Sequence, residues 1–143
     1  MLLTHAESLY NAANTTTPHS TFSSSVPAIA AAYNSSGWGD DLCLAALALA
    51  LATNESNYYA DAYSYYQQDE LSGSTAVWNW DSRTPAAYVL FVEAALARPT
   101  LAAGAGLDAN LTGWQKETEA YFDGFINGTF KNAYLTKGNV HVC

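Results

Sequence analysis

Apolar positions recur along most of this chain at the three- and four-residue spacing of helices. Leu2-Leu3, Ala6, Leu9-Tyr10 and Ala13 mark a first amphipathic helix, which ends in the loop Asn14-Thr15-Thr16-Thr17-Pro18. A short helix is predicted near Val26 to Tyr33. From Asp40 or Asp41 to about Ala52 the chain is apolar on every face, the pattern of a helix buried on all sides by other helices. Past Thr53-Asn54-Glu55-Ser56 follows a more polar, outer helix. It carries Tyr58, Tyr59, Ala62, Tyr63, Tyr65 and Tyr66, with Asp61, Gln67 and Gln68 left for solvent.

After Leu71-Ser72-Gly73-Ser74 the scheme starts again, with an Ala/Leu/Val helix from about Ser82 to Ala97 that has Pro85 near its first turn. A break at Arg98-Pro99, a Gly/Ala-rich loop and a last helix from about Gly113 to Phe125 complete it. The tail from Phe130 to Val142 alternates and holds Lys137-Gly138-Asn139, which predicts an extended, turn-containing segment. Setting Asp40 over Asp81 aligns Ala45-Ala46 with Ala86-Ala87, an internal repeat of helical hairpins about 40 residues long. The fold class is therefore all-α, about three helical hairpins plus the extended tail. Solenoids and closed α/α toroids share this signature. The aromatic-plus-acid turn at the same end of each buried helix favours the toroid, whose ligands gather at one rim.

At 143 residues, half of them hydrophobic, the chain has the size of one domain with a core. Five positive charges against 13 acidic groups leave a net charge of −8 and make nucleic acid and anionic membrane surfaces poor partners. The longest apolar run, Leu42 to Thr53, is shorter than the roughly 18 to 20 residues of a membrane span. Met1-Leu2-Leu3-Thr4-His5 lacks the basic start and apolar stretch of a signal peptide. Cys43 is predicted to be a buried thiol, and with Cys143 it forms no disulfide framework. Asn-X-Ser/Thr sequons begin at Asn14, Asn34, Asn54, Asn110 and Asn127, more than chance provides. They point to a secreted eukaryotic protein, although surface loops rich in Asn, Ser and Thr produce the same pattern.

The chemistry concentrates in Ser36-Gly37-Trp38-Gly39-Asp40-Asp41 and Trp78-Asn79-Trp80-Asp81, each directly ahead of an apolar helix. Asp40, Asp41 and Asp81 are good partners for helix N-termini. Three carboxylates with the Ser36 hydroxyl and the bare Gly37 backbone also make a hard oxygen set of the kind Ca²⁺ takes. Trp78 and Trp80 are either platforms for sugar rings or core residues. Tyr59, Tyr63 and Tyr66 are read as helix packing, and His5, His19 and His141 as incidental. No pair of carboxyls makes a convincing general acid and base. Asp69-Glu70 reads as polar loop, and Glu117 and Glu119 as helix surface.

Ser-Gly-aromatic-Gly-Asp-Asp before an Ala-rich helix, then Trp-Asp opening the next, resembles the middle of glycoside hydrolase family 9, the (α/α)6-barrel cellulases. Ala6-Glu7-Ser8-Leu9-Tyr10, Tyr33-Asn34-Ser35-Ser36-Gly37, Glu119-Ala120-Tyr121-Phe122 and Tyr134-Leu135-Thr136-Lys137-Gly138 extend the resemblance over nearly all of residues 1–143. It implies part of a barrel and a structural calcium ion held by Ser36, Gly37, Asp40, Asp41 and Asp81, with Asp41 standing where the family usually has Glu. It implies glucan contact at Tyr33 and a secreted endo-β-1,4-glucanase acting on cellulose or β-glucan by inversion; Trp78 is a candidate substrate platform on its residue type alone. The family's catalytic aspartates lie upstream of the matching region and its acid glutamate downstream, so no catalytic residue is assigned here. On this reading the chain alone is inactive and its uncovered apolar helices promote self-association. The alternatives are a non-catalytic helical carbohydrate-binding or interaction remnant, and another α/α-toroid carbohydrate enzyme.

Overall fold

The computed structural model describes residues 1–75 and 77–130 and the backbone of 134–135 and 141–142. Seven α-helices occur among them: α1 (Leu2–Thr15), α2 (Phe22–Ser25), α3 (Gly39–Thr53), α4 (Ser56–Gln68), α5 (Thr84–Ala97), α6 (Pro99–Gly104) and α7 (Leu111–Ile126). Two 3-10 turns, Pro27–Ile29 and Asp108–Asn110, fill connections. In the tail, β1 (Tyr134–Leu135) pairs antiparallel with β2 (His141–Val142), so the extended segment is present. Its expected turn at Lys137-Gly138-Asn139, and Cys143, lie outside the described residues.

The two Ala/Leu-rich helices α3 and α5 lie side by side. Helix α4 packs on α3, α7 on α5, and α6 on both α4 and α5. This is the layered arrangement of part of an (α/α)6 barrel. A two-residue link joins α3 to α4, where Asn54 takes the left-handed conformation at φ 62° and its N–H closes on the Ala50 carbonyl at 2.8 Å. Asn is one of the few residues that tolerates this geometry. Cys43, Ala46, Leu47 and Ala50 of α3 are fully buried, and Cys43 is a free thiol whose pKa burial pushes up to about 12. The small side chains let α3 and α5 approach closely, and the bulk comes from α4.

The tyrosines of α4 are that bulk. Tyr59 meets Phe91 and Trp114 edge-on at 5.4 and 5.7 Å, and Phe91 stacks on Trp114 at 4.7 Å. Four of the buried phenols in this layer also find an acceptor. Tyr59 donates to the Phe91 carbonyl at 3.1 Å, Tyr65 to Asn14, Tyr66 to Glu117 and Tyr88 to the Leu71 carbonyl. Asp61, expected to face solvent, instead accepts the Tyr10 hydroxyl at 3.0 Å and ties α1 to α4.

Three expectations are corrected. The short helix lies at Phe22–Ser25 with Thr21 capping Ser24, because Pro27 holds the next residues in a 3-10 turn. The Gly/Ala-rich stretch after Arg98 contains α6, anchored by buried Leu101 and Ala102. Finally, α3 is not covered on all sides: Ala48 and Ala52 are exposed, and with Leu3 and Leu9 they border an open apolar groove of about 560 Å³ between α1 and α3.

Candidate functional site

The mouths of α3 and α5 meet, and their acidic residues serve each other's helices. Helix α3 has Trp38 as its N-cap, with no side-chain cap bond, and Asp40 and Asp41 in its first turn, where they face the positive end of the helix dipole. Asp40 is buried, at 7% exposure, and reaches across to accept the backbone N–H of Arg83, the residue that opens α5, at 2.6 Å. Its other oxygen takes the Asp41 N–H at 3.1 Å. Asp81 in turn accepts the Ser36 N–H at 2.7 Å. The sequence reading placed these carboxylates at their own helices; the structure uses Asp40 and Asp81 crosswise, as links between two chain segments.

Ser36, Gly37, Asp40, Asp41 and Asp81 are thus brought into one neighbourhood, together with two residues the sequence left out. Arg83 forms an ion pair with Asp41 at 3.0 Å, and its guanidinium also donates to the Trp80 carbonyl at 3.1 Å. Asp69, from the end of α4, lies directly over Gly39, where a methyl group would collide with its carboxylate; the bare glycine is what admits it. Asp69 Oδ2 and His19 Nε2 are buried without hydrogen-bond partners among the described residues, and the His19 ring stacks on Trp38 at 4.1 Å. Arg83 is one of only five positive charges in the sequence, but no local pattern marks it as part of this junction.

Burial raises the Asp41 carboxyl pKa, with Asp40 and Asp81 adding to it and Arg83 opposing. The Asp69 pKa is also raised, first by burial and then by Asp40, against a lowering by His19. The folded chain therefore holds these protons more tightly than the unfolded one, whose carboxyls titrate near the ordinary 3.8. The stability this linkage contributes is full below that pH and is lost as pH rises through the folded-state values. Asp69→Asn is expected to melt higher than the parent at neutral pH, with the gap closing on acidification; a gap independent of pH counts against the assignment.

The five groups do not fit calcium as they stand. Both Asp40 oxygens accept N–H groups, one Asp41 oxygen is held by a guanidinium, and one Asp81 oxygen accepts an N–H. Among the described residues, no three His, Cys, Asp or Glu side chains converge as a metal ion requires.

Beside this junction the surface is aromatic. Tyr33 and Trp80 are 57% and 46% exposed and meet edge-on at 5.5 Å. Trp78, 56% exposed, lines a separate apolar pocket of about 300 Å³ with Val77, Pro85, Val89, Tyr121 and Phe125. Tyr33 therefore has Trp80, not Trp78, as its neighbour. Neither Trp is a core residue among the described residues.

The model of glycosyl hydrolase family 9 matches residues 1–142. Endoglucanase 2 of Arabidopsis thaliana is 28% identical over 125 residues, covering 87% of this chain and 23% of its own length. Endoglucanase 10 of the same plant is 33% identical over 107 residues, covering 74% and 20%. The chain thus spans about a fifth of the length of these curated relatives. No solved structure gives a significant match.

Proposed function

Since the chain belongs to glycosyl hydrolase family 9, we propose that it builds one wall of the substrate cleft in an endo-β-1,4-glucanase acting by inversion on cellulose or a related β-glucan. The observation that carries this reading is the exposed Tyr33–Trp80 pair at the rim where α3 and α5 begin. Two aromatic rings open to solvent offer a flat apolar face to a pyranose ring, and the acidic junction below fixes the loops that bear them. Asp81 sits next to Trp80 and holds the Ser36 N–H, so both ring-bearing segments are tied together at one point.

The role of this stretch is binding and positioning. Asp40 and Asp41 are occupied by N–H groups and a guanidinium, and Glu117 by Tyr66 and the Gly73 N–H, which leaves none of them as a free acid or base. We place the protein outside the cell, a reading supported by the sequons at exposed Asn34, Asn54 and Asn127.

The test is a cello-oligosaccharide titration followed by tryptophan fluorescence and by reducing-sugar release. Saturable binding without hydrolysis is expected. Trp80→Ala should weaken it by about tenfold, corresponding to one stacking contact of roughly 1 to 2 kcal/mol. Hydrolysis by the chain alone overturns the positioning role. Binding indifferent to Trp80→Ala and Tyr33→Ala removes the rim from the site.

A further inference from the structure

We propose that the cation joining the mouths of α3 and α5 is the Arg83 guanidinium, and that this junction holds together without a divalent ion. The proposal rests on the donor geometry alone and is independent of the substrate reading.

Four carboxylates lie within electrostatic reach of one another where two helices start: Asp40 and Asp41 from α3, Asp69 from the end of α4, and Asp81 from the turn before α5. Arg83 and the His19 ring are the cationic or titratable nitrogen groups that face them among the described residues. Charges gathered this closely in a partly dry site repel, so the cluster needs a positive partner. Arg83 supplies it in a fixed form. Its backbone N–H is held by Asp40 at 2.6 Å, and its guanidinium bridges the Asp41 carboxylate at 3.0 Å and the Trp80 carbonyl at 3.1 Å. One residue thereby touches α3 twice and its own turn once. The Asp at position 41 favours this arrangement, since its short side chain meets a long guanidinium arm extended from the neighbouring helix.

A calcium ion and this guanidinium compete at one oxygen, Asp41 Oδ1. Binding a divalent ion through Asp41 Oδ1 displaces the Arg83 guanidinium and exchanges a weakly hydrated cation for one that must shed tightly held water.

The experiment compares thermal melting of the parent chain and Arg83→Gln in excess chelator and in excess Ca²⁺ at neutral pH. The parent is expected to melt at the same temperature in both. Arg83→Gln should melt about 3 °C lower at neutral pH. It should recover on adding Ca²⁺, which then takes the vacated position. Should Arg83→Gln fail to fold, the double variant Arg83→Gln/Asp41→Asn, which removes both the cation and one of the charges it offsets, must restore the fold. A parent that melts higher with Ca²⁺ or lower with chelator overturns the proposal. So does an Arg83→Gln chain indistinguishable from the parent, or a double variant that remains unfolded where the single one does.

Discussion

Phe91→Ala is expected to cost about 3 to 5 kcal/mol, the range for a large side chain removed from a closed core. Phe91 is completely buried, and its ring touches three aromatic neighbours: Trp114 stacked at 4.7 Å, Tyr59 edge-on at 5.4 Å and Tyr66 edge-on at 5.6 Å. These residues come from α7 and α4, so the truncation loosens both outer helices from α5 at once. The cavity cannot close by a simple shift, because Tyr59 is fixed by its hydroxyl to the Phe91 carbonyl. With a whole-domain stability of the order of 5 to 15 kcal/mol, the variant should lose much of its folded population. Urea unfolding measures it, and Phe91→Leu, which keeps most of the volume, should lose less than half as much. A loss below about 1 kcal/mol for the alanine variant contradicts the core described here.

The second large effect is expected at the junction. Asp40→Ala strands two N–H groups, those of Arg83 and Asp41, in a site where Asp40 itself was buried. Hydrogen bonds to charged acceptors contribute about 1.5 to 3 kcal/mol, and an orphaned buried donor carries its own penalty. The expected cost is about 3 kcal/mol, or roughly 10 °C in melting temperature. Asp40→Asn keeps one acceptor oxygen and should lose about half of that. Equal losses for the two variants mean that charge, not acceptor geometry, holds α5 to α3.

Helices α3, α4, α5 and α7 were legible because their apolar spacing runs for three turns or more and their breaks carry Asn54, Gly73, and Arg98 with Pro99. Helix α6 was not, since Pro99–Gly104 has only one large apolar side chain. Its closing Gly104 reads as a loop residue but in fact admits the Ser56 side chain at 2.8 to 2.9 Å from where a Cβ would stand. The junction was legible as a cluster, because carboxylates ahead of apolar helices have a physical purpose in a sequence. Its wiring was not. A carboxylate that caps the next helix 43 residues on has no local signature, and neither Arg83 nor Asp69 is marked until the fold brings it there. His19 is the same case, a loop residue without ligand spacing that ends up stacked on Trp38.

Three of the four tryptophans fall into two optical classes, with Trp38 half-buried between them. Trp114 is 3% exposed and enclosed by Phe91, Tyr59 and Tyr63, whereas Trp80 at the rim and Trp78 in its own apolar pocket stand about half open. Acrylamide should therefore extinguish the red-shifted emission first and leave a blue-shifted remainder that belongs to the core. A saccharide at the rim can shield only the first fraction, and unfolding alone brings the second within reach of the quencher. The chain thus carries separate built-in reporters for occupancy and for integrity, readable in a single cuvette without a label.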